Sequence, residues 1–214
     1  ENIAFFHTSP CCVDFSSLKE NEDKARAIEN LATSKDMFQV IWELAKDFAF
    51  PTIMIENVTN YVRGKETAGL VLGRALEELG YRVYTHIVNG KHLNSYTERE
   101  RVYITATLLD APFSAPQHEE HTVNVWTDVF EPRLDELVHE CSGYGMERVG
   151  RKNKLNLVEE GVAIAGCIPK AQGRANEALR VRVGEKFYFP EVPLLKAVNS
   201  IPDAFSFDVV NKEV

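Results

Sequence analysis

Apolar positions over roughly the first hundred residues alternate between runs with strand character and stretches with helical spacing. Ile3-Ala4-Phe5-Phe6 is a short apolar run ending at the turn-forming Thr8-Ser9-Pro10, the pattern of a buried strand. Ser34 to Ala49 carries Met37, Ile41, Leu44, Ala45 and Phe48 on one helical face, with Thr33 or Ser34 available as a cap. Pro51 ends that helix, and Thr52-Ile53-Met54-Ile55 predicts a second buried strand leading into Glu56-Asn57. Ala68 to Leu79 is a second amphipathic stretch, closed by Gly80, which suits a left-handed C-terminal position. Tyr81 to Val88 and the β-branched Arg101 to Leu108 predict two further strands.

Strands separated by helices of this length predict an α/β fold with a largely parallel sheet and helices on both faces. In such sheets, functional residues gather at the carboxyl ends of strands, where Cys12 and Glu56 fall. Ala111 to Pro116, with two prolines, marks a boundary, and periodicity weakens beyond it. Phe130 to Glu140 has helical character. Val162-Ala163-Ile164 and Leu179 to Val183 are short strand-like pieces, and order returns over Val192 to Phe207. The expected divisions are 1–110, 111–186 and 187–214.

Composition adds little to this picture, and charge adds more. Hydrophobic residues make up 44% of the 214 and charged residues 26%, as in ordinary soluble domains. The longest apolar runs, such as Phe48 to Ile55, are too short to cross a bilayer, and no leader pattern opens the sequence. The four cysteines include the adjacent pair Cys11-Cys12 and show neither a disulfide framework nor zinc-ligand spacing, so a reducing cytoplasm (or nucleoid or nucleus) is the expected compartment. Net charge is −8, yet Met146 to Lys186 holds nine Lys/Arg against five Asp/Glu, +4, leaving −12 for the rest. Such a basic island, with Arg148, Arg151 and Lys152 at its start, is the footprint of a localised phosphate-contacting surface or simply a solvated face.

Three short segments carry the candidate chemistry: Ser9-Pro10-Cys11-Cys12-Val13-Asp14-Phe15-Ser16, Ile55-Glu56-Asn57-Val58, and Thr97-Glu98-Arg99-Glu100-Arg101-Val102. Singly, each has a plain structural reading. A lone cysteine is most often a small buried hydrophobe, Glu56 could cap a helix, and Arg99 and Arg101 could line the outer face of a strand. Together and in this order, they resemble the nucleophile loop, the Glu-Asn-Val strand end and the Gln-x-Arg-x-Arg-Val segment of the DNA cytosine-C5 methyltransferase family. Asn89 falls at that family's asparagine, and Asn94 stands where a glycine is usual, the replacement best suited to positive φ. Ser9 for glycine, Cys11 for proline and Thr97 for glutamine are departures.

The resemblance implies a Rossmann-like methyltransferase fold, with a catalytic half over 1–110, a recognition region over 111–186 and a returning helical segment over 187–214. It also implies S-adenosylmethionine as methyl donor and double-stranded DNA as partner. A thiolate adds to cytosine C6, C5 becomes nucleophilic and takes the methyl group, and loss of the C5 proton expels the sulfur. Because C6 lies inside the base stack, the base must be flipped out. In this reading Cys12 is the nucleophile and Glu56 holds the base edge. Arg99 and Arg101 supply fixed positive donors, Pro10 faces the methyl donor, and Ser16, Asn57, Arg148, Arg151 and Lys152 face DNA. An ungapped match to Phe15-Ser16 selects Cys12, whereas selecting Cys11 requires an inserted residue.

The family's Phe-x-Gly-x-Gly turn for the methyl donor and its closing Gly-Asn-x-Val segment are absent from these 214 residues. Gly143-Tyr144-Gly145 follows helix-like rather than strand-like sequence. The expectation is therefore a split or trimmed enzyme. A second chain would carry the missing half, and this chain alone would bind S-adenosylmethionine negligibly. A catalytically idle DNA-binding relative, or an RNA cytosine methyltransferase of the same fold, are the alternatives.

Overall fold

Alternating polarity and helical spacing generate a sheet whose strands are not in chain order. A computed structural model describes residues 4–10, 32–63, 67–110, 113–114, 116–118, 120–141, 156–166 and 179–200. Strands β1 (Phe5–Thr8), β2 (Thr52–Asn57), β5 (Glu100–Thr107) and β3 (Arg82–Asn89) lie side by side in that order. β1 runs parallel to β2, pairing Phe6 with Ile53 and Thr8 with Ile55. β2 and β5 are antiparallel, with Ile55 facing Ile104 and Glu56 facing Tyr103.

The sheet is therefore mixed, which corrects the expectation of a largely parallel one. A parallel step needs a crossover of about a dozen residues or more, usually a helix. Helices separate the first three strands. Between β3 and β5 there is only a 3-10 turn (Gly90–Leu93) and the two-residue strand β4 (Thr97–Glu98). Among the described residues, helices α1 (Ala32–Phe48) and α2 (Ala68–Glu78) pack into one core on the same face of the sheet. Ile41 and Ala45 of α1, with Leu72 and Leu76 of α2, bury against Ile53, Ile55, Val102, Ile104 and Ala106. Gly80 has φ +91°, the left-handed conformation its place after α2 predicts.

Gly69 owes its identity to close packing. A Cβ there would lie 2.7 Å from a ring carbon of buried Tyr61, 2.8 Å from the Tyr61 carbonyl oxygen and 2.8 Å from Val62. Burial also pushes the Tyr61 phenol up to about 12, so this ring stays neutral near neutral pH. Because the backbone oxygen cannot swing aside, Gly69→Ala is expected to destabilise the fold by about 1–3 kcal/mol despite alanine's higher helix propensity. Urea unfolding of the variant checks this, and an unchanged midpoint would refute it.

The chain divides into two compact units. One holds the described residues of Glu1–Val88 and Glu100–Pro116, and the other those of Asn89–Arg99 and Gln117–Val214. In the second, β6 (His139–Glu140), β10 (Lys186–Phe189), β9 (Arg180–Val183) and β7 (Leu157–Val158) form a sheet in that order. β4 pairs with β8 (Ala165–Gly166). Phe130, Val158, Leu179 and Val181 form its core with Leu194 and Val198 of helix α3 (Val192–Val198). The expected helix over Phe130 to Glu140 is instead a π-turn (Trp126–Phe130), a 3-10 stretch (Glu131–Glu136) and β6. Pro132 supplies no backbone N–H, and Arg133 leaves helical geometry at φ −133°. Val162-Ala163-Ile164 is likewise not a strand, because the pairing starts at Ala165. Among the described residues, no helix is long and apolar enough to cross a membrane.

Candidate active site

Strand alternation decides what β2 offers at its end. Ile53, Ile55 and Asn57 point into the core, so Met54 and Glu56 take the opposite face. Across the antiparallel pair Glu56 faces Tyr103, and Arg101 lies two residues earlier on β5, on the same face. That diagonal spacing is about 7–8 Å between backbones, within reach of two long side chains. Arg101 Nε meets Glu56 Oε1 at 3.1 Å, and Arg101 Nη1 donates to the Glu100 carbonyl at 2.7 Å. The Glu56 and Arg101 side chains are only 20% and 17% exposed. Their pair is thus less screened than Arg63–Glu100 at 2.7 Å, whose side chains are 57% and 39% exposed.

The second Glu56 oxygen belongs to a residue the sequence reading did not single out as functional. Ser9 Oγ donates to Glu56 Oε2 at 2.6 Å, and the Glu56 main-chain oxygen lies 3.3 Å from the same hydroxyl. The available signal was its departure from the glycine of the resembled loop. Asn57, 1% exposed, spends its amide on the same junction: Nδ2 donates to the Pro10 carbonyl at 3.2 Å and Oδ1 accepts from Val58 N–H at 2.8 Å. Both ends of a buried amide are satisfied, and the chain at Pro10, which precedes Cys11-Cys12 in sequence, is tied to the end of β2. Asn57 is thereby structurally engaged, and Pro10 is itself buried, with its carbonyl accepting from Asn57.

Glu56, Arg101, Pro10 and Asn57 are thus brought together. Arg99 is not in this group. The strand breaks at Arg99, which belongs to the second unit and accepts a hydrogen bond from Gly90 N–H at 2.9 Å. Cys12, Ser16, Arg148, Arg151 and Lys152, with the alternative Cys11, lie outside the described residues. Cys141 is described and buried. Burial pushes its thiol up despite the opposing pull of Arg180, so it is poorly suited to act as a nucleophile. Within the basic island, Arg180 is buried, whereas Arg182 pairs with Glu159 at 3.2 Å and Lys186 with Glu140 at 2.8 Å. No set of three or more His, Cys, Asp or Glu placed to hold a metal occurs among the described residues.

The segment leading to β5 is built by two asparagines. Asn89 Oδ1 accepts from Lys91 N–H at 3.2 Å, capping the 3-10 turn, and Asn94 ends that turn at φ +56°, ψ +40°. This is the left-handed conformation expected where glycine is usual. Asn94 Oδ1 also accepts from Thr122 N–H at 2.9 Å and Val123 N–H at 3.1 Å, contacts a glycine would lack.

Known structures share this architecture. EhMeth, a methyltransferase of Entamoeba histolytica, superposes with a TM-score of 0.72 at 13% identity, over 97% of this chain and 68% of that one. The Dnmt2 methyltransferase of S. pombe gives 0.70 at 15% identity, over 97% and 69%. A mutant of Spodoptera frugiperda DNMT2 gives 0.70 at 14%, over 98% and 72%. At such identities the likeness is one of fold, and the fold is that of a methyltransferase. No curated protein sequence matches the chain. Its residues 1–177, however, match the C-5 cytosine-specific DNA methylase family, and the chain belongs to that family. Membership implies S-adenosylmethionine as the methyl donor.

Proposed function

We propose that the chain forms the base-handling side of a DNA cytosine-C5 methyltransferase. The observation that carries this reading is the Glu56 carboxylate, held at the end of β2 between Arg101 and Ser9, next to Asn57, which holds the Pro10 carbonyl. A carboxyl group held on both oxygens is pre-oriented, and orientation is what a residue gripping N3 and N4 of a flipped cytosine must supply. Cys12 adds as thiolate to C6, and the electron pair moves to C5, which takes the methyl group from S-adenosylmethionine. Loss of the C5 proton restores the ring double bond and expels the sulfur. Arg101 keeps positive charge beside the site. Residues 111–186 serve as the recognition region, with Arg148, Arg151 and Lys152 on phosphate and Ser16 on the DNA backbone.

Covalent trapping tests this. With S-adenosylmethionine and a second polypeptide carrying the Phe-x-Gly-x-Gly half, the chain is expected to form a denaturation-resistant adduct on duplex DNA containing 5-fluorocytosine. Capture of 5-fluorocytosine RNA instead would move the substrate to RNA, and capture of neither would sink the reading.

The recognition assignment has its own test. Neutralising Arg148, Arg151 and Lys152 together is expected to weaken DNA binding and reduce the slope of log affinity against log salt by up to about 3, roughly 0.9 per lost phosphate contact. Fluorescence anisotropy across a salt series measures it, and an unaltered slope would contradict the assignment.

A further inference from the structure

We infer that Ser9 is a positioning residue that holds Glu56 in both of its protonation states. This rests on the role proposed above for Glu56, but the contact itself is geometric.

One hydroxyl carries one hydrogen and can also accept. Ser9 Oγ has two acceptors within reach on the same residue: Glu56 Oε2 at 2.6 Å and the Glu56 main-chain oxygen at 3.3 Å. While Glu56 is a carboxylate, the hydrogen goes to Oε2, where the charge makes the bond short and strong. Once Oε2 carries a proton, that oxygen becomes the donor. The Ser9 oxygen accepts from it, and the Ser9 hydrogen turns to the main-chain carbonyl. No group is left unpaired in either state, and no heavy atom need move.

The other carboxyl oxygen cannot do this. Arg101 can only donate, so Oε1 remains an acceptor throughout. Protonation is thereby directed to Oε2. A glutamate that grips both a ring nitrogen and an exocyclic amine of a base must present one donor and one acceptor. With a base bound, the Oε2 hydrogen turns from Ser9 to the ring nitrogen, Ser9 donates to the lone pair of Oε2 left free, and Oε1, held by Arg101, accepts from the exocyclic amine, so the two oxygens keep separate roles. Glycine or alanine at position 9 would leave Oε2 to water, and with it the orientation of the acid.

Two measurements test this. In methyl transfer by the completed enzyme, Ser9→Ala is expected to lower kcat by about 10- to 100-fold, the worth of one hydrogen bond to a charged group, with KM for DNA changed less than about twofold. Ser9→Thr, which keeps a hydroxyl, should stay within about threefold of wild type. In the 214-residue chain labelled with carboxyl-13C glutamate, the Glu56 signal, assigned by its loss in Glu56→Gln, should be displaced in Ser9→Ala and retained in Ser9→Thr. An unmoved signal in Ser9→Ala overturns the contact. A displaced signal with wild-type kcat overturns the positioning role. Equal losses of kcat in the alanine and threonine variants, with lowered melting temperatures, also overturn it. An enzyme that methylates neither DNA nor RNA would instead refute the function proposed for the site, and the carbon signal would still decide whether Ser9 holds Glu56.

Discussion

Cys12→Ser is expected to abolish the covalent adduct on 5-fluorocytosine DNA and to lower methyl transfer on the order of 10³-fold or more, whereas Cys11→Ser only weakens both. The adduct requires a nucleophile that adds to C6 at neutral pH and later leaves. A thiol is partly ionised there and is a good leaving group; a serine hydroxyl is neither. The choice between the adjacent cysteines rests on register. Phe15-Ser16 matches the family segment without a gap only when Cys12 is the nucleophile. Denaturing gel analysis of the two variants decides it, and the reverse pattern would transfer the role to Cys11.

Glu56→Gln is expected to reduce kcat by about 10²- to 10⁴-fold while leaving the fold intact, the range typical for loss of a positioned acid–base group. The amide can satisfy both existing neighbours. Its oxygen accepts from Arg101, and its NH₂ donates to Ser9, whose hydroxyl then turns to the main-chain oxygen 3.3 Å away. What the amide cannot do is take up or release a proton, which separates chemistry from packing. Glu56→Ala should lose activity similarly but also stability, by about 1–3 kcal/mol, because Arg101 then loses the carboxylate it pairs with in a site where it is only 17% exposed. Turnover with labelled S-adenosylmethionine, read beside thermal melting, distinguishes the two. A glutamine variant with near-wild-type turnover would remove Glu56 from the chemistry.

Ile41 and Ala45 on α1, and Leu72 and Leu76 on α2, are legible as core because helical spacing is a local property of the chain. The same holds for Gly80 and Asn94. Positive φ is a demand of a single residue, and the residue types best able to meet it stand at φ +91° and +56°. Glu56 and Arg101, which the structure sets against each other, were also legible as candidates, but only as members of ordered segments. The helix expected over Phe130 to Glu140 failed because apolar spacing there outvoted Pro132, whose missing N–H divides the segment.

By itself, then, the sequence determined the elements of the first unit, its core-facing positions, and the three segments whose order marks the family. Tertiary structure alone decided the direction of β5, since antiparallel pairing with β2 is a matter of long-range hydrogen bonds that leave no trace in a strand's own alternation. It also separated two arginines that look equivalent in Arg99-Glu100-Arg101. The strand break at Arg99 gives one to the second unit, and β5 sets the other against Glu56. Finally, it brought Ser9 to Glu56 across 47 residues of chain. The parallel register of β1 on β2 aligns their ends, and only that alignment puts a hydroxyl beside a carboxylate.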